Sequence, residues 1–227
     1  YHRDLNQLMK QKANTPTMGG ILVSGAIFVS TLLLADLSSF YITMALVCLL
    51  AMVLIGFGDD WLKLTSSRRG PGAREGLYIR EKLLFQIGVA LLLGMFIHHY
   101  GANKFTQDFS EIQMMSHSLT LPGLKTWAWE GGQWVPSSSL IVLGAWQFVL
   151  LAIVVIAGSS NAVNLTDGMD GLASGVMVIV AFAFMVLAII AGYHNERTGF
   201  VLAKFLLVPH IPWSDELAIV AGAMVGA

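Results

Sequence analysis

Two amides, one hydroxyl and two carboxylates are crowded into Asn161-Ala-Val-Asn-Leu-Thr-Asp-Gly-Met-Asp-Gly171. Asn161, Asn164, Asp167 and Asp170 recur at every third position. On a helix, neighbours three apart share a face, so these side chains would form one polar strip. Their oxygens are hard donors, which suit a cation such as magnesium or a phosphate held through one. The competing reading is a polar loop closed by a turn, since Gly168 and Gly171 are good turn residues. Location favours a site. The apolar run Leu140 to Ala157 precedes the stretch and Leu172 to Gly192 follows it. Polar groups at membrane depth are costly and usually mark substrate or ion sites.

A second cluster, Gly56-Phe-Gly-Asp-Asp-Trp-Leu-Lys63, closes another apolar run. Asp60 and Lys63 are spaced to pair on one helix face. The acids could simply end a helix with charge, but carboxylates at a helix C-terminus oppose its dipole. Lys63 or a cation would offset that. Crowding two acids also raises one pKa, as a general base requires. In Lys12-Ala-Asn-Thr-Pro-Thr-Met-Gly-Gly20, Pro16 suits a first helical turn with Thr15 as its cap. The free N–H groups there, with Thr17 and Lys12, could hold an anion. Arg74 to Lys82 reads either as a phosphate or head-group contact or as the basic flank of a membrane helix.

The elements that must position these residues are membrane helices. Of the 227 residues, 56% are hydrophobic and 12% charged, and mean hydropathy is +0.69. A soluble domain carries about 25% charged residues. Cys48 is the single cysteine, which excludes a disulfide framework and a thiolate metal site. The net charge of -1 and the lack of a basic patch give no reason to expect a nucleic-acid partner. About 20 apolar residues span a bilayer. Five runs qualify, Met18–Ala35, Phe40–Phe57, Leu83–Tyr100, Leu140–Ala157 and Leu172–Gly192, and a sixth starts near Glu216. The expected fold is an all-α, polytopic transmembrane helix bundle with five complete helices and a truncated sixth. It forms a single domain over 1–227, cut at both ends from a larger bundle.

Nine of the thirteen Lys and Arg residues fall in 1–17 and 58–82, which five crossings place on one side together with 158–171. The positive-inside rule makes that side cytoplasmic. It follows that 101–139 is an extracytoplasmic loop. Gly131-Gly132 and the flanking Trp127, Trp129 and Trp134 suggest a hairpin or a segment lying at the membrane interface. His98-His99 on the same side reads as an interface feature.

Taken together, Thr15-Pro-Thr-Met-Gly-Gly20, Gly58-Asp-Asp-Trp-Leu-Lys63 and Asn161 to Ala173 resemble the phospho-N-acetylmuramoyl-pentapeptide transferase family, in the superfamily of polyprenyl-phosphate sugar-phosphate transferases. The resemblance implies a bacterial inner-membrane, multi-pass enzyme with its active site facing the cytoplasm, usually a homodimer. It also implies transfer of phospho-MurNAc-pentapeptide from UDP-MurNAc-pentapeptide to undecaprenyl phosphate. The products are lipid I and UMP, magnesium is required, and this is the first membrane step of peptidoglycan synthesis.

By the same resemblance, Asp59 is the candidate base on the lipid phosphate, with Asp60 beside it, and Asp167 is a further candidate catalytic acid. Asn161, Asn164 and Asp170 match nucleotide-sugar positions, and Asp167 and Asp170 lie near the metal. Lys12, Thr17, Lys63 and Lys82 match polar positions of the cytoplasmic cleft. The family's principal magnesium ligand, in a Gly-Asp-x-Gly-Ser type motif, is absent up to Ala227, so the fragment alone is expected to be inactive. The rival readings are a sister enzyme that moves an N-acetylhexosamine phosphate, a membrane transporter, and a purely structural membrane subunit.

Overall fold

The computed structural model describes residues 19–66, 76–101, 114–121, 124–166, 171–195 and 197–227. Seven α-helices appear among them: α1 (Gly19–Leu34), α2 (Phe40–Ser66), α3 (Ile79–Tyr100), α4 (Ala145–Thr166), α5 (Leu172–Gly192), the single turn α6 (Leu202–Phe205) and α7 (Leu217–Gly226). Helices α2 to α5 are long and apolar enough to cross a membrane, and α1 is a shorter apolar helix of 16 residues. A 22-residue helix rises about 33 Å, which matches a hydrocarbon core of about 30 Å. The chain is a multi-pass helical membrane protein, as its hydropathy predicts.

The surface bears this out. Leu22, Leu33, Leu84, Leu150, Ile179 and Phe184 are all more than half exposed, a liability in water and ordinary in lipid. Several of the buried positions are small, such as Ala90, Ala157, Ala181 and Ala221. In a bilayer, helices associate by close approach, which small residues permit. Gly94 on α3 is the sharpest example. A Cβ there would sit 3.0 Å from the Ala152 Cβ and 3.4 Å from the Val149 Cα on α4. Gly94→Leu should therefore lower the thermal unfolding midpoint in detergent, by the ~1–3 kcal/mol typical of overpacking. Gly88→Ala, whose Cβ meets nothing within 4 Å, should not.

Two boundaries differ from those read in the sequence. Helix α2 does not stop at the paired acids; it carries Asp59, Asp60 and Lys63 on to Ser66. Lys63 lies four residues after Asp59 and three after Asp60, so the continuing helix itself supplies the counter-charge. The run Leu140–Ala157 is split. Ile141–Val142 (β4) pairs antiparallel with Ser118–Leu119 (β1), and α4 then runs from Ala145 through Asn161 and Asn164 to Thr166. Hydropathy alone does not separate an apolar strand from the start of an apolar helix.

The Gly131-Gly132 pair does close a hairpin, as its sequence suggests. Trp127–Glu130 (β2) pairs with Gln133–Pro136 (β3), and both glycines have positive φ, 58° and 86°. Positive φ at both central residues is the signature of a two-residue turn that fits the strand twist. Trp127 anchors the hairpin. Its Nε1 donates to the Val208 carbonyl at 2.8 Å, and the Lys204 ammonium lies 4.6 Å from its ring centroid. A third short pair, β5 (His194–Asn195) with β6 (Phe200–Val201), follows α5. His98 stacks on His117 at 4.1 Å between ring centroids, and the His117 Nε2 donates to the His98 carbonyl. Burial, with His98 beside it, holds His117 below the usual imidazole value.

Candidate active site

Those of the polar residues read from the sequence that the structure describes lie toward one end of the bundle. That end gathers the start of α1, the last turns of α2 and α4, and the starts of α3 and α5. Asp59 is nearly buried, with its side chain 11% exposed. Both of its oxygens are engaged: Oδ2 takes the Lys63 ammonium at 2.7 Å, and Oδ1 accepts the Leu77 N–H at 2.8 Å. Charge-assisted bonds of this kind are among the stronger ones in proteins. They tie the last turns of α2 to the segment that leads into α3. The adjoining Gly76 has a φ of +114°, and its backbone lies directly against the Asp59 carboxylate.

Asp60 is placed differently. Its side chain is 50% exposed, and Lys63 stands 3.6 Å away, beyond hydrogen-bond distance. It sits at a cavity of about 480 Å³ whose walls include Leu49, Met52, Val53, Phe57 and Met177. A carboxylate beside a mainly apolar trough is an amphiphilic site. A second cavity, of about 700 Å³, shares Met52, Val163 and Met177 with the first. Its polar lining comes from Lys82 and Gln86 on α3, Ser160 and Asn164 on α4, and Ser174 on α5.

Lys82 enters α3 after a defined start. The Tyr78 N–H donates to the Glu81 carboxylate at 3.1 Å, so an acid satisfies a backbone donor in the first turn. Asn161 and Asn164 ride on α4 three residues apart, as their spacing predicts. Asn161 does not line the second cavity. Its amide turns to Gln86 and to the Ala157 carbonyl instead. Lys12, Thr17, Asp167 and Asp170 lie outside the described residues.

The site therefore joins Asp59, Asp60 and Lys63 on α2 with Lys82 on α3 and Asn164 on α4. Sequence reasoning missed three participants: Gln86, Ser160 and the backbone at Gly76-Leu77. Gln86 carried a legible signal, a polar residue inside an apolar span. The Leu77 N–H carried none, because a backbone donor leaves no trace in residue type. Among the described residues no group of three His, Cys, Asp or Glu is placed to hold a metal. The donors present are carboxylate, amide and hydroxyl oxygens, and that donor set fits a hard cation which keeps most of its own waters.

Comparison with known proteins places the chain among its relatives. Signature 1 of the phospho-N-acetylmuramoyl-pentapeptide-transferases matches residues 12–22, which run into the first turn of α1. The chain is 36% identical over 218 residues to the phospho-N-acetylmuramoyl-pentapeptide-transferase of Desulfatibacillum aliphaticivorans, covering 96% of this chain and 51% of that protein. It is 36% identical over 227 residues to that of Anaeromyxobacter sp. (strain Fw109-5), covering 99% and 55%. To that of Thermodesulfovibrio yellowstonii it is 37% identical over 217 residues, covering 96% and 51%. The chain thus spans about half the length of the curated relatives it matches. The family model of glycosyl transferase family 4 matches residues 42–220, from the second residue after the start of α2 into α7, and the chain belongs to that family.

Proposed function

We propose that the protein of which this chain forms part transfers phospho-MurNAc-pentapeptide from its UDP donor to undecaprenyl phosphate, giving lipid I and UMP. The observation that carries this reading is the meeting of Asp59, Asp60, Lys63, Lys82 and Asn164 at one end of a membrane bundle, beside two adjoining and largely apolar cavities. A polyprenyl phosphate needs an apolar path for its chain and a charged rim for its head group, and this end of the bundle offers both. The relatives' names and the signature at 12–22 support the muramoyl donor. The Lys and Arg distribution supports a cytoplasmic position for this end in a bacterial inner membrane, and an extracytoplasmic one for 101–139. Homodimerisation belongs to the same reading and rests on the family resemblance.

In the reaction, an oxygen of the lipid phosphate attacks the sugar-proximal phosphorus of the donor pyrophosphate. A new P–O bond forms, the bond to the UMP oxygen breaks, and UMP leaves with the electron pair. Phosphoryl transfer of this kind depends on positioning and charge stabilisation more than on covalent help. Of the two adjacent acids, Asp60, half exposed beside the apolar trough, is the better placed to take a proton from the lipid phosphate. Asp59 holds Lys63 and the start of α3 in place for it. Lys63 and Lys82 supply positive charge to the phosphates, and the family resemblance adds Lys12 and Thr17 as polar groups for the substrates. By the family resemblance, Asp167 and Asp170 would hold magnesium. When bound, magnesium neutralises charge that develops on the pyrophosphate.

The test is UMP release by the full-length gene product in detergent with undecaprenyl phosphate and Mg²⁺. Release with UDP-MurNAc-pentapeptide, lost on EDTA treatment and restored by Mg²⁺, is the expected result. Release with UDP-N-acetylglucosamine alone would move the protein to the sister branch. A folded protein that releases UMP from neither donor would overturn the enzyme reading.

A further inference from the structure

Gln86 lies two turns into α3 and is 1% exposed. A buried amide within an apolar span is costly unless both of its ends find partners. Here both do. Gln86 Nε2 donates to Ser160 Oγ at 2.9 Å, and its Oε1 accepts from Asn161 Nδ2 at 2.7 Å. The same Asn161 nitrogen donates to the Ala157 carbonyl at 2.7 Å. A carbonyl can only accept, so that bond fixes which end of the Asn161 amide is nitrogen. The direction then propagates: Gln86 must turn its oxygen to Asn161 and its nitrogen to Ser160. A network with one permitted arrangement specifies one packing of the two helices that carry it.

Its place in the fold gives that packing a consequence. Helices α3 and α4 run antiparallel, and Gly94 against Ala152 seats them further along the pair. Lys82 stands one turn before Gln86 on α3, and Asn164 one turn after Ser160 on α4, both toward the polar end. Four residues of helix rise about 6 Å, so the clamp lies a single turn beneath the level of Lys82 and Asn164. All four residues line the 700 Å³ cavity.

We propose that Gln86 is a positioning residue whose clamp on Ser160 and Asn161 sets the separation of Lys82 and Asn164, and with it the fit of the nucleotide-sugar. The second half rests on the functional reading above. The same network spends both N–H groups of Asn161 inside the helix pair. A ligand that reaches Asn161 therefore meets its carbonyl oxygen, which accepts from a hydroxyl, an N–H or a cation and repels a phosphate oxygen.

The test uses the full-length protein. Gln86→Leu keeps the side-chain bulk and removes both hydrogen bonds. Gln86→Glu keeps the acceptor for Asn161, and the Ser160 hydroxyl can turn to donate to it. Gln86→Leu is expected to raise the donor KM about tenfold or more, the scale of small misplacements in a site, and Gln86→Glu to recover most of that loss. Combined with Lys82→Ala, Gln86→Leu should cost less than the product of the two single effects. A role confined to folding would lower the unfolding midpoint and leave the KM of the folded enzyme unchanged, and that result would overturn the proposal.

A second readout does not depend on turnover. Spin labels at Ile79→Cys and Leu165→Cys, positions 86% and 84% exposed, report the α3–α4 distance with native cysteines replaced. Gln86→Leu should widen or broaden that distance. If the unlabelled wild type releases no UMP, the functional reading fails, and the label distance alone decides the clamp. An unchanged distance would sink it.

Discussion

Asp60→Asn should reduce UMP release by about 10³-fold through kcat, within the 10²- to 10⁴-fold range of a lost general base. Donor KM and thermal stability should stay close to those of the wild type. The Asp60 side chain is half exposed and its ion pair with Lys63 is long, 3.6 Å, so its neutralisation should cost the fold little. Asp59→Asn should fail by a different route. Asp59 is nearly buried and holds Lys63 at 2.7 Å and the Leu77 N–H at 2.8 Å. An asparagine oxygen can still accept from Leu77, but its NH₂ group then faces the Lys63 ammonium. Hydrogen bonds to charged groups contribute about 1.5–3 kcal/mol. The variant should therefore lose stability, with Lys63 and the start of α3 released, and both KM and kcat should suffer. Steady-state kinetics on the two variants, beside their thermal unfolding in detergent, separates the roles. A stable Asp59→Asn protein that has lost kcat alone, with Asp60→Asn active, would make Asp59 the base.

The different placement of the two acids is beyond the reach of residue types. Gly-Asp-Asp-Trp-Leu-Lys shows that two acids and a lysine share a helix; it does not show which acid faces inward. That depends on where the segment before α3 returns, and the returning group is a backbone N–H. The helices themselves were legible, because 20-residue apolar runs have few alternatives in lipid. Their polar ends were less so. Asp59 and Asn161 look like loop residues by hydropathy, yet both sit on continuing helix. The pairing of the polar strip on α4 with α3 could be read in part. Gln86 inside an apolar run was the visible sign of a partner, and Ser160 and Asn161 were the polar residues near enough to the same end to answer it. The register of β1 with β4 was hidden, since two-residue strands have no periodicity to read.

Gly76 should prove nearly as sensitive as the acids. With a φ of +114°, it occupies backbone space that side-chain-bearing residues rarely enter, at a cost of about 1–3 kcal/mol. Space is short as well. A Cβ at this position would lie 2.8 Å from Asp59 Oδ1 and 3.3 Å from Lys63 Cε and Cγ. The first of those atoms is pinned by the Leu77 N–H and the others belong to the lysine that pairs with Asp59, so neither side can give way without breaking the pairing. Gly76→Ala should therefore push the chain off Asp59, carry the start of α3 with it, and shift Lys82 in the cavity. A loss in kcat/KM of about 10²-fold follows from a displacement on the order of 1 Å. Gly199→Ala is the control. Gly199 also has positive φ, +65°, but a Cβ there meets nothing within 4 Å. It should show the backbone cost alone, as a small drop in unfolding midpoint with kcat/KM unchanged. In an Asp59→Asn background, Gly76→Ala should add little, because the contact it disrupts is already weakened. Equal and additive losses from the two glycine variants would mean that backbone strain alone governs both positions, and that the closeness of Gly76 to Asp59 has no part in catalysis.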